Sequence, residues 1–170
     1  MSARSFLDTN VLVYADDRGE PSRQRRALAV VAEHRAAGTG VVSIQVLQEY
    51  FVTVTRKLGL DAAVARRKVE LLSDLDVVVP DVGDVLAAID LHRLHGLSFR
   101  DALVVRAAKQ AGCAVLLTED LQDRRELDGV RIVNPFREAP PAAHERPARY
   151  RGAPRKPRKK TRRPLIPWVR

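Results

Sequence analysis

Short blocks of consecutive apolar residues alternate along the chain with longer stretches whose apolar positions recur every three or four residues. The short blocks predict buried strands at Ser5-Phe6-Leu7, Val41-Val42-Ser43, Asp76 to Pro80 (Val77, Val78 and Val79 in a row), Ala114 to Leu117 and Arg131-Ile132-Val133. The longer stretches predict helices. One follows Asp8, with Val11, Leu12, Tyr14 and Ala15 apolar. A second runs from about Arg23 to Ala37, with Ser22 as its cap and Ala27, Leu28, Val31 and Ala32 as its inner face. A third, from about Ile44 to Leu58 after Ser43, carries Val46, Leu47, Tyr50, Phe51 and Val54. Further helices are expected from Asp61 to Leu72, from Val82 to His95, and from Asp101 to Ala111 after Ser98 or Arg100. Gly38, Gly59, Gly96 and Gly112 stop four of them. Strands alternating with helices at these lengths predict an α/β fold: a three-layer α/β/α sandwich around a central, mostly parallel five-stranded sheet.

Charge changes that picture at residue 139. Residues 1–138 hold 19 Lys/Arg against 20 Asp/Glu, whereas residues 139–170 hold 11 against one, together with seven of the ten prolines. The chain therefore divides into a nearly neutral domain, 1–138, and a basic, Pro-rich tail, 139–170. Such a tail cannot bury enough apolar surface to offset its ordering entropy, so disorder is expected. Its Arg155, Lys156, Arg158, Lys159 and Lys160 are candidate RNA contacts, because a run of cations without acids suits a phosphate backbone. A single cysteine, Cys113, excludes an intrachain disulfide and a thiolate metal cluster. No signal pattern and no membrane-length apolar run are present, which predicts a cytoplasmic protein with no membrane partner.

The candidate chemistry is acidic. Asp8 ends the first strand, Glu49 lies about two turns into the helix after the second, Asp101 stands near the start of a later helix, and Asp120 follows the fourth strand. Asp8 and Asp101 are also good helix-start residues, and Asp120 is an ordinary turn residue. Glu49 is more informative, because it sits among Val46, Leu47, Tyr50 and Phe51, where a charge needs a partner. In a wound parallel sheet these four positions can converge on one crevice. Carboxylates gathered there need a cation, and a hard, oxygen-preferring Mg²⁺ or Mn²⁺ fits them.

Five blocks in order carry a family likeness: Phe6-Leu7-Asp8-Thr9-Asn10-Val11-Leu12, Ser43 to Tyr50, Ser98 to Val105, Leu116 to Leu121, and Gly129 to Phe136. Together they resemble the PIN-domain ribonucleases, specifically the VapC-type toxins of bacterial toxin–antitoxin pairs, over residues 4–137. The resemblance implies a metal-dependent endoribonuclease with Asp8, Glu49, Asp101 and Asp120 as catalytic, metal-binding acids. Asn10 would support the first loop and Thr118 would be a polar neighbour of the site. It also implies Mg²⁺ or Mn²⁺ as cofactor, hydrolysis that leaves 5′-phosphate and 3′-hydroxyl ends, homodimerisation, and neutralisation by a small antitoxin.

Two departures stand out. Arg100 occupies a position usually aromatic in such proteins, where it would either bind substrate phosphate or pair with the acids. The segment Gln122-Asp123-Arg124-Arg125 lacks a glycine common after the fourth acid, which leaves Asp123 as an alternative to the favoured Asp120. Other features weigh less. His92 and His95 lack a third ligand at zinc spacing, and Arg23, Arg25 and Arg26 read as a solvated face. A catalytically weak or silent PIN-fold RNA-binding module is the alternative function. Other Rossmann-like enzymes each lack a residue: a second Asp two positions after Asp8, a glycine-rich turn, or a lysine near the last strand.

Overall fold

The computed structural model describes residues 3–137; residues 1–2 and 138–170, including the tail and its candidate RNA contacts, lie outside the described part. Twelve elements are present among the described residues. They are β1 (Ser5–Leu7), α1 (Thr9–Tyr14), α2 (Pro21–Ala37), β2 (Gly40–Ser43), α3 (Ile44–Arg56), α4 (Ala62–Leu72), β3 (Asp76–Val78), α5 (Val82–His95), α6 (Phe99–Gln110), β4 (Val115–Leu117), β5 (Glu126–Leu127) and β6 (Val130–Val133). The strands form one sheet in the order β3-β2-β1-β4-β6-β5, parallel except for the β5–β6 pair. The sheet has six strands rather than five. The extra one is the edge strand β5, joined to β6 by Asp128-Gly129, where both residues take positive φ (53° and 82°) as a two-residue hairpin turn requires.

Phe6, Leu7, Val41, Val42, Leu116 and Ile132 are all buried, as parallel strands covered on both faces must be. α1 to α4 pack together and α5 packs on α6, and with the crossovers taking the right-handed sense usual for parallel strands the two groups cover opposite faces of the sheet. Tyr50, Val46 and Val54 of α3 and Ala102, Val105 and Ala108 of α6 fill the two layers.

Local signals explain most boundaries. Ser43, Asp61 and Asp81 cap α3, α4 and α5 through side-chain bonds to backbone N–H groups, and Ser98 rather than Arg100 caps α6. The helix α2 departs from the predicted start: Pro21 opens it, its fixed φ suiting the first turn, and Ser22 lies inside. Its buried face is Ala27 and Val30 with Val31 partly covered, while Leu28 is 51% exposed. So many alanines and arginines leave the apolar stripe of α2 ambiguous in phase, and packing chose it.

Candidate active site

The chain winds from β1 to β2 and β3 on one side, then returns to place β4 against the other side of β1. The carboxyl ends of β1 and β4 thus form a topological switch point, where open α/β sheets leave a crevice. Leu7 and Leu117 are level in the register, so the next residues, Asp8 and Thr118, emerge together. The Asp8 N–H donates to the Leu117 carbonyl at 3.1 Å and the Thr118 N–H to Val133 at 3.1 Å.

Asp8 is 5% exposed and Thr118 fully buried. The Asp8 carboxylate caps α1 by accepting from the Thr9 N–H at 2.7 Å, and it accepts from Thr118 Oγ1 at 2.7 Å. Asn10 Nδ2 lies 3.3 Å from Asp8 Oδ2, 3.0 Å from Thr118 Oγ1 and 3.1 Å from Asp120 Oδ2. The Asp120 N–H in turn donates to Thr118 Oγ1 at 3.1 Å. Asn10 and Thr118 therefore clamp two carboxylates. Burial pushes the Asp8 carboxyl up to about 6; the Thr118 and Thr9 hydrogen bonds and the Arg100 charge pull it down, and the Asp120 charge raises it.

Glu49 joins from the side. Its Oε2 accepts from Thr9 Oγ1 at 2.9 Å and pairs with Arg100 Nη2 at 2.7 Å, while its Oε1 accepts from Gln45 Nε2 at 2.9 Å. Arg100 thus spans from the start of α6 to α3, which realises the acid-pairing alternative left open by the sequence. Asp101 is held locally: Ser98 Oγ donates to Asp101 Oδ2 at 2.7 Å and accepts from the Asp101 N–H at 3.0 Å. Among the described residues Asp101 shares no hydrogen bond with the other three acids. Asp123 turns away, accepting from the Asn134 N–H at 2.9 Å, so Asp120 is the acid that enters the Asn10–Thr118 clamp.

A second shelf of contacts lies beside the crevice and had no readable signal, because its members are distant in the chain. Tyr14 donates to Glu119 Oε1 at 2.6 Å and accepts from Arg23, and Arg23 pairs with Glu119 Oε2 at 2.8 Å. The Arg23 guanidinium lies over the Tyr14 and Phe136 rings, which meet edge-on at 4.9 Å. This staple ties α1 and α2 to the turn carrying Asp120. His92 Nδ1 donates to the Leu97 carbonyl at 2.5 Å, a turn-fixing role.

The donor set can be tested against a divalent cation. All candidate donors are oxygens, which suits a hard ion. Asn10 Oδ1 is buried with no hydrogen-bond partner, an atom whose lone pairs await a donor or a cation. Against this, among the described residues no three acid, histidine or cysteine side chains stand close enough to share one ion. The acids fit in chemistry, then, while their present spacing places a guanidinium on Glu49.

Comparisons with known proteins agree with this architecture. Residues 5–129 match the PIN-domain family profile. The fold is similar to a toxin–antitoxin complex from Klebsiella pneumoniae, with a TM-score of 0.57 and 18% identity over 77% of this chain and 97% of that one. It is also similar to VapC20 of Mycobacterium tuberculosis, a sarcin–ricin loop cleaving toxin, with a TM-score of 0.56 and 21% identity over 68% of this chain and 89% of that one. No curated protein gives a significant match. With the profile spanning most of the chain, and a strand-end aspartate at the switch point of a wound sheet, this protein belongs to the PIN-domain family.

Proposed function

We propose that the protein is a Mg²⁺- or Mn²⁺-dependent endoribonuclease acting as the toxin of a toxin–antitoxin pair in the cytoplasm. The observation that carries the reading is the buried Asp8 carboxylate, bracketed by Thr118 and Asn10 and facing Asp120 at the switch point. A carboxyl this desolvated, with its ionisation pushed to about 6, is the kind of group found where function sets the environment. Asp8 and Asp120 would hold the cation, with Glu49 and Asp101 joining from α3 and α6. A bound divalent ion would supply Lewis-acid activation of water and neutralise charge on the phosphodiester. Thr118 and the Thr9 N–H fix the Asp8 oxygens, and Asn10 keeps Asp120 beside them. The basic tail would add phosphate contacts without sequence choice.

The similarity to toxin structures, one of them a toxin–antitoxin complex, supports an antitoxin partner. Exposed Val82, Leu86 and Leu94 on α5 support a homodimer, since patches of that kind mark association surfaces. The Arg100–Glu49 pair supports a second reading, a catalytically weak RNA-binding module.

Cleavage of an end-labelled, structured RNA pool with Mn²⁺, with Mg²⁺ and with EDTA separates the two. Metal-dependent cuts that vanish in Asp101→Asn are expected. Salt-sensitive RNA binding with no cuts in any lane would replace the nuclease by the binding module.

A further inference from the structure

Arg100 is the one cation that reaches into the acidic crevice from the described residues around it. Its Nη2 lies 2.7 Å from Glu49 Oε2, although its side chain is 54% exposed and Glu49's is 23% exposed. The reach is not incidental to α6: Ser98 caps this helix and binds Asp101, so residue 100 is held between a capped turn and the crevice. Both oxygens of Glu49 are engaged in this arrangement, Oε2 twice. Oε1 takes the Gln45 amide, and Oε2 takes both the Thr9 hydroxyl and the guanidinium. A divalent ion that recruits Glu49 must displace Arg100 or share the carboxylate with it, and its own charge repels the guanidinium in either case.

We propose that Arg100 is a built-in counter-ion of the acidic site, competing with the divalent cation for Glu49 and setting the site's metal affinity below what its carboxylates alone would give. The inference rests on reading this crevice as a cation site. It accounts for two features together: a Glu within an otherwise apolar stripe whose two oxygens are both engaged without metal, and an oxygen donor set that suits a hard ion yet, among the described residues, does not gather three acids at one point. Arg100 is a positioning residue here, acting on the cation through Glu49. Metal binding would also free its guanidinium to swing outward, as its exposed stem permits.

The test is Mn²⁺ binding to the full chain in the absence of RNA, followed by calorimetry and by the electron paramagnetic resonance of free Mn²⁺ at low salt. Removing a unit charge a few ångströms from a partly exposed ion site should tighten Mn²⁺ binding by on the order of tenfold in Arg100→Gln. Arg100→Ala should behave alike, and Arg100→Lys, which keeps the charge, should stay close to wild type. Asp8→Asn should abolish the tight phase in both the wild-type and the Arg100→Gln backgrounds. Unchanged or weaker Mn²⁺ binding in both neutral variants, with wild-type binding intact, would overturn the inference and leave the metal site standing. Absence of Mn²⁺ binding in the wild type and in every folded variant would overturn the metal reading and the inference with it.

Discussion

Asp8 stands at the centre of the proposed site and also carries a large local cost. Its carboxyl ionises near 6 in the folded chain against 3.8 for an unperturbed group, with desolvation the main cause. Well below 3.8 it is protonated in both states and contributes no penalty. As pH rises toward 6 the unfolded chain ionises first, so stability falls across that window and stays lowered above it. Two units correspond to roughly 3 kcal/mol. Asp8→Asn, which keeps a capping oxygen, should therefore raise the melting temperature of the metal-free protein by several degrees at pH 7 while abolishing cleavage. Thermal melts in EDTA at pH 4 and pH 7 check this, and the gain should shrink at the lower pH. Thr118 works in the opposite direction. It donates to Asp8 and accepts from Asn10 and the Asp120 N–H while fully buried. Thr118→Val, which strips the hydroxyl from three partners, should cost about 1–3 kcal/mol in chemical denaturation.

At the level of elements, the loop after β4 is where the chain accepts strain. Arg124 takes φ 65° where glycine would sit freely, its N–H donating to the Ile132 carbonyl at 2.9 Å. Relief of left-handed strain at a non-glycine residue is worth roughly 1 kcal/mol, partly offset by glycine's greater unfolded entropy. Arg124→Gly should thus stabilise the protein slightly, read as a higher denaturation midpoint, with no loss of the β5–β6 pairing. The α5–α6 layer depends on a different device. Asp84 completes a capping box with Asp81 and pairs with Arg106 Nε at 2.9 Å while only 3% exposed. Its backbone bond to Asp81 is the first cause holding its carboxyl below the usual range. Asp84→Ala leaves Arg106 partly buried without its partner and should cost about 2–4 kcal/mol by urea titration. None of the helices among the described residues is long and apolar enough to cross a membrane.

For the whole molecule, metal and the tail supply the predictions. A cation that binds only the folded state raises stability by mass action, so Mn²⁺ at about 100 times its dissociation constant should add roughly 2.7 kcal/mol, and EDTA should reverse it. Neutralising Arg155, Lys156, Arg158, Lys159 and Lys160 to Gln should flatten the salt dependence of RNA binding by several units of log–log slope. Metal-dependent stabilisation should be unchanged in that variant, because the acids lie within residues 8–120.

The sequence alone determined where most of the strands lie and which residues follow β1 and β4, although it ran the third strand on to Pro80 where the structure ends β3 at Val78. Apolar runs with a fixed period, capping residues and turn glycines are local physics, and they placed Asp8 and Asp120 at strand ends and Glu49 inside the helix after the second strand. The β5–β6 hairpin was equally local, since Asp128-Gly129 is a hairpin-turn dipeptide, but strands this short lack periodicity to notice. Tertiary structure alone decided the pairings. That Asn10 reaches Asp120, that Arg23 staples Tyr14 to Glu119, and that Arg100 lies on Glu49 all depend on β4 returning beside β1. Side chains so far apart in the chain meet only once the sheet order is set, and no spacing in the sequence encodes which carboxylate a long, flexible arginine will choose.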